Sequence, residues 1–162
     1  MRPAGGSAGR ATVSAAAVKE SRRPPYLLDT SAIMTFIEDE AGADLVEEAL
    51  RRETTLIPWP VLLETYYVSL QEQGQAEADR RLALLKQLGV TILWEMDEAT
   101  LLTAGRLKAE YRLSLADAMI AAIAVRREAV LIHKDPEFDA LRGIVEVEPL
   151  PHKSVAPPPK EK

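Results

Sequence analysis

The sequence predicts an α/β domain in which helices cover both faces of a mostly parallel central sheet. Three observations carry that expectation. Short apolar runs with strand character alternate with longer helix-like segments, glycine, proline and capping residues fall at the joints between them, and no internal repeat breaks the alternation. A chain of 162 residues suits one such domain.

The elements follow in order. Tyr26-Leu27-Leu28 is a strand ending at Asp29, and Thr30–Glu38 and Ala43–Arg52 are helices. Thr54–Ile57 is the second strand, stopped by Pro58. Two helices, Trp59–Gln73 and Ala76–Leu88, meet at Gly74, where glycine ends the first. Thr91–Trp94 is a strand, Asp97 caps a helix over Glu98–Arg112, and Ser114 caps another through Arg127. Ala129–Ile132 and Ile144–Val147 complete the sheet. Residues 1–24 show no sustained apolar period and are expected to form a flexible basic tail, residues 25–150 the folded domain, and Pro151–Lys162, with four prolines and three lysines, a second tail.

Composition narrows the function. Cysteine is absent, which removes disulfides, thiolate zinc sites and cysteine nucleophiles. No apolar run approaches the ~20 residues that span a bilayer, and no apolar core of a signal peptide follows Arg2 and Arg10. A soluble, cytoplasmic protein is expected. Residues 1–24 hold five basic side chains and one acidic, and residues 151–162 three and one, so the net charge of −5 leaves −11 on residues 25–150. Bulk charge of that sign repels a phosphate backbone. Any action on nucleic acid must therefore rest on metal ions and local basic patches.

In doubly wound sheets the site lies beyond the carboxyl ends of the strands, which directs attention to four acids. Asp29 directly follows the first strand, where a helix N-cap is its plain structural explanation. Glu64 lies in Val61-Leu62-Leu63-Glu64-Thr65-Tyr66-Tyr67-Val68, apolar on nearly every side, so its charge needs an arginine or a metal ion. Asp117 opens an almost wholly small and apolar helix at capping-box spacing from Ser114. Asp135 follows the fourth strand in Ile132-His133-Lys134-Asp135-Pro136, and Asp139 is expected on the next short helix, facing solvent. Two carboxylates ~5 Å apart repel by about 3 kcal/mol at an effective dielectric of 20. A fold that gathers four of them needs a cation, and hard oxygen donors without Cys or His select Mg²⁺ or Mn²⁺.

These segments resemble the PIN-domain family, most closely the toxin ribonucleases of VapBC-type toxin–antitoxin pairs, over about residues 26–148. Leu28-Asp29-Thr30-Ser31-Ala32 resembles the family's first acidic motif, Leu63-Glu64-Thr65-Tyr66 the second, and Asp135-Pro136-Glu137-Phe138 the fourth. Leu113-Ser114-Leu115-Ala116-Asp117-Ala118-Met119-Ile120-Ala121-Ala122 resembles the third and is the most specific of them. The family usually carries Thr or Ser two residues before the fourth acid, where this chain has His133.

The resemblance implies a PIN-like three-layer α/β/α sandwich and a ribonuclease that hydrolyses phosphodiesters with Mg²⁺ or Mn²⁺. It implies Asp29, Glu64 and Asp117 as the main metal-binding and catalytic set, completed by Asp135, with Ser31 and Ser114 orienting the carboxylates. It also implies a small antitoxin partner and a homodimer. Arg51-Arg52, Arg80-Arg81 with Lys86, Arg106-Lys108-Arg112 and Arg126-Arg127 are the candidate RNA contacts, each with a solvated helix face as its plain alternative. Trp59, Tyr66 and Tyr67 suit core or interface, with core favoured. A PIN nuclease of RNA processing without an antitoxin and a non-catalytic PIN-like binding domain are the competing readings. Receiver domains want a paired acid beside the early strands and a lysine after a late one, and haloacid-dehalogenase phosphatases want a second Asp where this chain has Ser31; both fit poorly.

Overall fold

A computed structural model describes residues 23–152 except Glu53. The expected tails fall almost wholly outside these residues. The order is β1 (Tyr26–Leu28), α1 (Thr30–Ile37), α2 (Ala43–Leu50), β2 (Leu56–Pro58), α3 (Trp59–Gln73), α4 (Gln75–Gln87), β3 (Thr91–Leu93), α5 (Glu98–Glu110), α6 (Leu115–Arg127), β4 (Val130–His133), a 3-10 helix (Pro136–Leu141) and β5 (Val147–Pro149).

The five strands form one sheet in the order β3-β2-β1-β4-β5, and every neighbouring pair is parallel. Leu27 pairs with Leu56 on one side and with Leu131 on the other, so β1 lies at the centre. The chain steps outward from β1 to β2 to β3, then returns across the sheet to β4. Right-handed crossovers then place α5 and α6 on the face opposite the earlier helix pairs, giving the three-layer α/β/α arrangement. The return also creates a switch point between β1 and β4, where the connections at the carboxyl edge diverge and leave a crevice.

The core is Leu27, Leu28, Ile57, Leu131 and Ile132 of the strands, packed against Ala32, Ile33, Val46 and Val61 of the helices. In α6, Ala118, Ile120, Ala121, Ala122, Ile123 and Ala124 are all buried. Small side chains over this length bring the helix backbone close to its neighbours, and its first turn is thereby fixed at the sheet's edge.

Three expectations are corrected. The second strand includes Pro58 and starts at Leu56, because Thr54 and Thr55 belong to the turn after α2. There the Thr55 N–H donates to the Arg52 carbonyl at 3.1 Å and its hydroxyl to the Ala49 carbonyl at 2.5 Å. The last strand is Val147–Pro149 rather than Ile144–Val147, since the N–H groups of Ile144 and Val145 donate to the Leu141 carbonyl at 2.9 and 3.2 Å, in a turn containing Gly143 at φ +93°. Trp59, Tyr66 and Tyr67 are not core residues. Trp59 and Tyr66 line an open apolar groove of about 400 Å³ with Leu62, Leu63, Leu82 and Trp94, and Tyr67 is 41% exposed.

Gly42 shows how the carboxyl edge is closed. Its φ is +97°, and a Cβ there would lie 2.9 Å from Pro151 Cδ. Gly105, within α5, has nothing within 4 Å of the same position. Gly42→Ala should therefore destabilise the domain by about 1–2 kcal/mol from backbone conformation alone, with steric cost added. Gly105→Ala should stabilise it by about 0.5–1 kcal/mol. Urea midpoints of the two variants check the opposite signs.

Candidate metal centre

Asp29 leaves the end of β1 directly at the switch point. It is the N-cap of α1, where its Oδ1 accepts the Ala32 N–H at 2.8 Å. The Ser31 hydroxyl donates to both carboxylate oxygens, at 3.0 and 2.9 Å. That hydroxyl in turn accepts the Lys134 N–H at 2.7 Å, which bridges the ends of β1 and β4 and orients its proton towards Asp29. Asp29 is only 2% exposed. Burial pushes its carboxyl up to about 7, against the opposing hydrogen bonds from Ala32 and Ser31, and the charge of Asp117 adds to the rise.

Glu64 lies in the second turn of α3, half-buried. Its Oε2 accepts the Thr30 hydroxyl at 2.5 Å, and no arginine pairs with it among the described residues. Burial raises its pKa, the Thr30 bond opposes the rise, and Asp117 and Asp135 push it further up. Thr30 was not singled out from the sequence, although its position beside Asp29 at the head of α1 was visible there.

Asp117 occupies the first turn of α6. Its N–H donates to Ser114 Oγ at 3.0 Å, so Ser114 caps the helix. Among the described residues no donor bonds the Asp117 carboxylate, nor does Ser114 bond any carboxylate, so only the backbone half of the expected capping box forms. Asp135 caps the 3-10 helix, its Oδ1 accepting the Glu137 N–H at 2.9 Å. This Asx turn, tightened by Pro136, directs the carboxylates of 135 and 137 to one side.

Asp117, Asp135 and Glu137 each offer a carboxylate oxygen, all within 4.8 Å of one another. Oxygen ligands of an octahedral Mg²⁺ at ~2.1 Å stand roughly 3 to 4 Å apart, so a small side-chain adjustment would bring these three onto one ion. Asp29 lies close enough to feel the charge of Asp117, and Glu64 that of Asp117 and Asp135. Glu137 is not among the four acids that the sequence predicts for the site. Its exposure gives no burial signal, and only its spacing from Asp135 across a proline pointed to it. Asp139 turns away, exposed and paired with Arg142 at 2.8 Å.

No lysine or arginine among the described residues forms an ion pair with any of these five acids. Lys134, the nearest in sequence, sends its Nζ to Glu40 at 2.7 Å. The donor set, all carboxylate and without a protein counter-charge, fits a hard divalent cation. His133 is buried beside it, with burial holding its imidazole below the usual range, and its Nδ1 is committed to the Asp135 carbonyl at 2.7 Å.

Several candidate RNA contacts are otherwise engaged. Arg51 pairs with Glu47, Arg80 with Glu77, and Arg52 lies over the Tyr26 ring at 4.2 Å. Arg81 is corrected outright. It is buried, bonds Glu38 at 2.6 Å and Glu77 at 2.8 Å, and clamps α4 to the end of α1.

A family model described as the PIN domain matches residues 26–144. No curated protein matches. Among solved structures, the chain is similar to VapBC2 of Rickettsia felis bound to a promoter DNA fragment, at 17% identity and TM-score 0.64, over 78% of this chain and 98% of that one. VapBC-1 of nontypeable Haemophilus influenzae gives 21% identity and TM-score 0.61, over 76% and 96%. VapBC-5 of Mycobacterium tuberculosis gives 23% and 0.55, over 80% and 100%. At these identities the likeness carries the fold.

The buried Asp29 makes stability depend on pH. Without a divalent ion, the folded state keeps a proton on Asp29 between pH ~4 and ~7 that the unfolded chain has already released. Its contribution is therefore full below pH ~4, falls as pH rises through that window and levels off above it, by about 4 kcal/mol in all. Asp29→Asn should remove this slope, so that the variant gains on wild type from pH 5 to pH 8. Mn²⁺ should restore the wild type at pH 8. Denaturation midpoints across pH check this, and a difference between the two proteins that is flat with pH contradicts it.

Proposed function

The chain belongs to the PIN-domain family, and on that premise we propose that it is a Mg²⁺- or Mn²⁺-dependent ribonuclease, the toxin of a toxin–antitoxin pair. The observation that carries this reading is the convergence of the Asp117, Asp135 and Glu137 carboxylates at the carboxyl edge of the sheet, with no basic partner.

Asp117, Asp135 and Glu137 would hold the ion directly. Asp29 and Glu64 complete the negative field, held by Ser31 and Thr30 respectively. When bound, the divalent ion supplies Lewis-acid activation of water and offsets the charge of the phosphate. Without the ion, burial holds the Asp29 carboxyl up to about 7, and a cation beside it would favour the charged form. With that chemistry supplied by the ion no catalytic histidine is required, and His133 is buried and already bonded.

The phosphate backbone must be collected against the acidic balance of residues 25–150. Arg112, in the loop that leads into Ser114, and Lys86, Arg106, Arg126 and Arg127 form no ion pair among the described residues and are candidate cations for it. The antitoxin reading is supported by the solved relatives, which are toxin–antitoxin complexes. The groove of Trp59, Leu62, Leu63, Tyr66, Leu82 and Trp94 suits an apolar protein segment. A homodimer and a cytoplasmic location belong to the same proposal. No helix among the described residues is long and apolar enough to cross a membrane.

The test is cleavage of total RNA by the purified full chain with Mn²⁺ or Mg²⁺, beside Asp117→Asn and Glu137→Gln. Cleavage should vanish with EDTA, and each variant should lose about 100-fold or more while remaining folded, since even residues behind metal ligands commonly cost 10- to 100-fold. Cleavage that survives EDTA, or variants as active as wild type, would contradict the proposal.

A further inference from the structure

β4 runs Val130-Leu131-Ile132 and then ends on a histidine in the interior, with His133 only 1% exposed. An aliphatic residue would continue the strand's pattern at no polar cost. The imidazole instead leaves Nε2 buried and without a hydrogen-bond partner among the described residues. Burying such an atom unpaired is unfavourable, so the other side of the ring must make a compensating contact.

There the ring's Nδ1 lies 2.7 Å from the backbone carbonyl oxygen of Asp135. A carbonyl only accepts, so Nδ1 carries the hydrogen, and the neutral ring leaves its lone pair on Nε2. Phe138 packs edge-on against the ring, at 5.3 Å between centroids and 62° between planes, and is itself fully buried. The His133 carbonyl accepts the Leu150 N–H at 2.6 Å, which fixes the residue's own backbone to the end of β5. His133 is therefore held on three sides, and its one side-chain hydrogen bond goes to the backbone of an acid in the candidate centre.

That carbonyl starts the turn whose geometry sets two carboxylates. Asp135 Oδ1 accepts the Glu137 N–H, Pro136 restricts the bond between them, and the Phe138 N–H donates to the same Asp135 carbonyl at 3.3 Å. The carbonyl thus takes two donors, one from the short helix and one from His133. Rotation of the Asp135 peptide would break both and swing Asp135 and Glu137 away from Asp117.

We propose that His133 is a positioning residue, whose Nδ1–H locks the Asp135 carbonyl so that the carboxylates of Asp135 and Glu137 converge with Asp117 on a divalent cation. This rests on the metal-centre reading above. It assigns His133 no contact with the ion or with substrate.

Side-chain isosteres test it. Asparagine places its amide nitrogen where Nδ1 stands relative to the backbone, whereas glutamine places it where Nε2 stands, and leucine offers no donor. Mn²⁺ affinity of His133→Asn, His133→Gln and His133→Leu is measured by calorimetry, at a temperature where circular dichroism shows each protein folded. Asn should stay within about threefold of wild type, while Gln and Leu should bind about 10- to 100-fold more weakly. A merely structural role would follow the thermal midpoint and give no preference for Asn over Gln.

Gln or Leu binding as tightly as wild type, or Asn as weak as Leu, overturns the proposal. If Leu does not fold, the Asn and Gln pair decides alone. Wild type that binds no Mn²⁺ sinks the metal centre, and this role with it. Ring ¹⁵N shifts of the metal-free protein give an independent readout: Nδ1 should be protonated and Nε2 bare, and the opposite tautomer overturns the assignment.

Discussion

The structure is organised around a repulsion that it does not itself relieve. Five carboxylates stand at one edge of a parallel sheet, three of them with oxygens inside 4.8 Å, and no basic side chain among the described residues pairs with them. Like charges at such distances cost kilocalories even at a generous effective dielectric. Asp29 is affected twice over: burial first, and the charge of Asp117 last, push its carboxyl up to about 7 in the absence of an ion. The answer is a divalent cation, which would reverse the sign of each of these interactions.

The remainder of the fold serves to hold the acids where they repel. Parallel strands all point their carboxyl ends the same way, and the reversal between β1 and β4 opens the crevice there. The buried, alanine-rich α6 fixes Asp117 at its first turn. Hydrogen bonds then set individual side chains: Ser31 on Asp29, Thr30 on Glu64, and the Lys134 N–H tying the two central strand ends together through Ser31. These donors favour the charged forms and so oppose the effect of burial. The carboxylates are thereby held in place by bonds that do not require an ion.

What the sequence made legible was whatever has a local cause. The alternation of apolar runs and capped helices located four strands and six helices and touched the fifth strand at Val147; strand-end position singled out Asp29 and Asp135, apolar flanks Glu64, and the head of a buried helix Asp117. What escaped it depends on contacts distant in sequence or on turn geometry. Thr30 matters because its hydroxyl donates a hydrogen bond to Glu64, 34 residues away. Glu137 joins the trio because an Asx turn through Pro136 aims it there. β5 begins at Val147 because Ile144 and Val145 spend their N–H groups on Leu141. Arg81 read as a surface cation, yet Glu38 and Glu77 draw it into the interior. The aromatic residues of α3 read as core because apolarity alone does not say which face of a helix finds a neighbour.

Crystals grown with Mn²⁺ would test the central claim most directly, through the anomalous signal of the ion. A peak is expected at the carboxyl edge between β1 and β4, with carboxylate oxygens of Asp117, Asp135 and Glu137 at roughly 2.0–2.3 Å. A peak bound elsewhere, or full Mn²⁺ in solution and none at this edge, would contradict it.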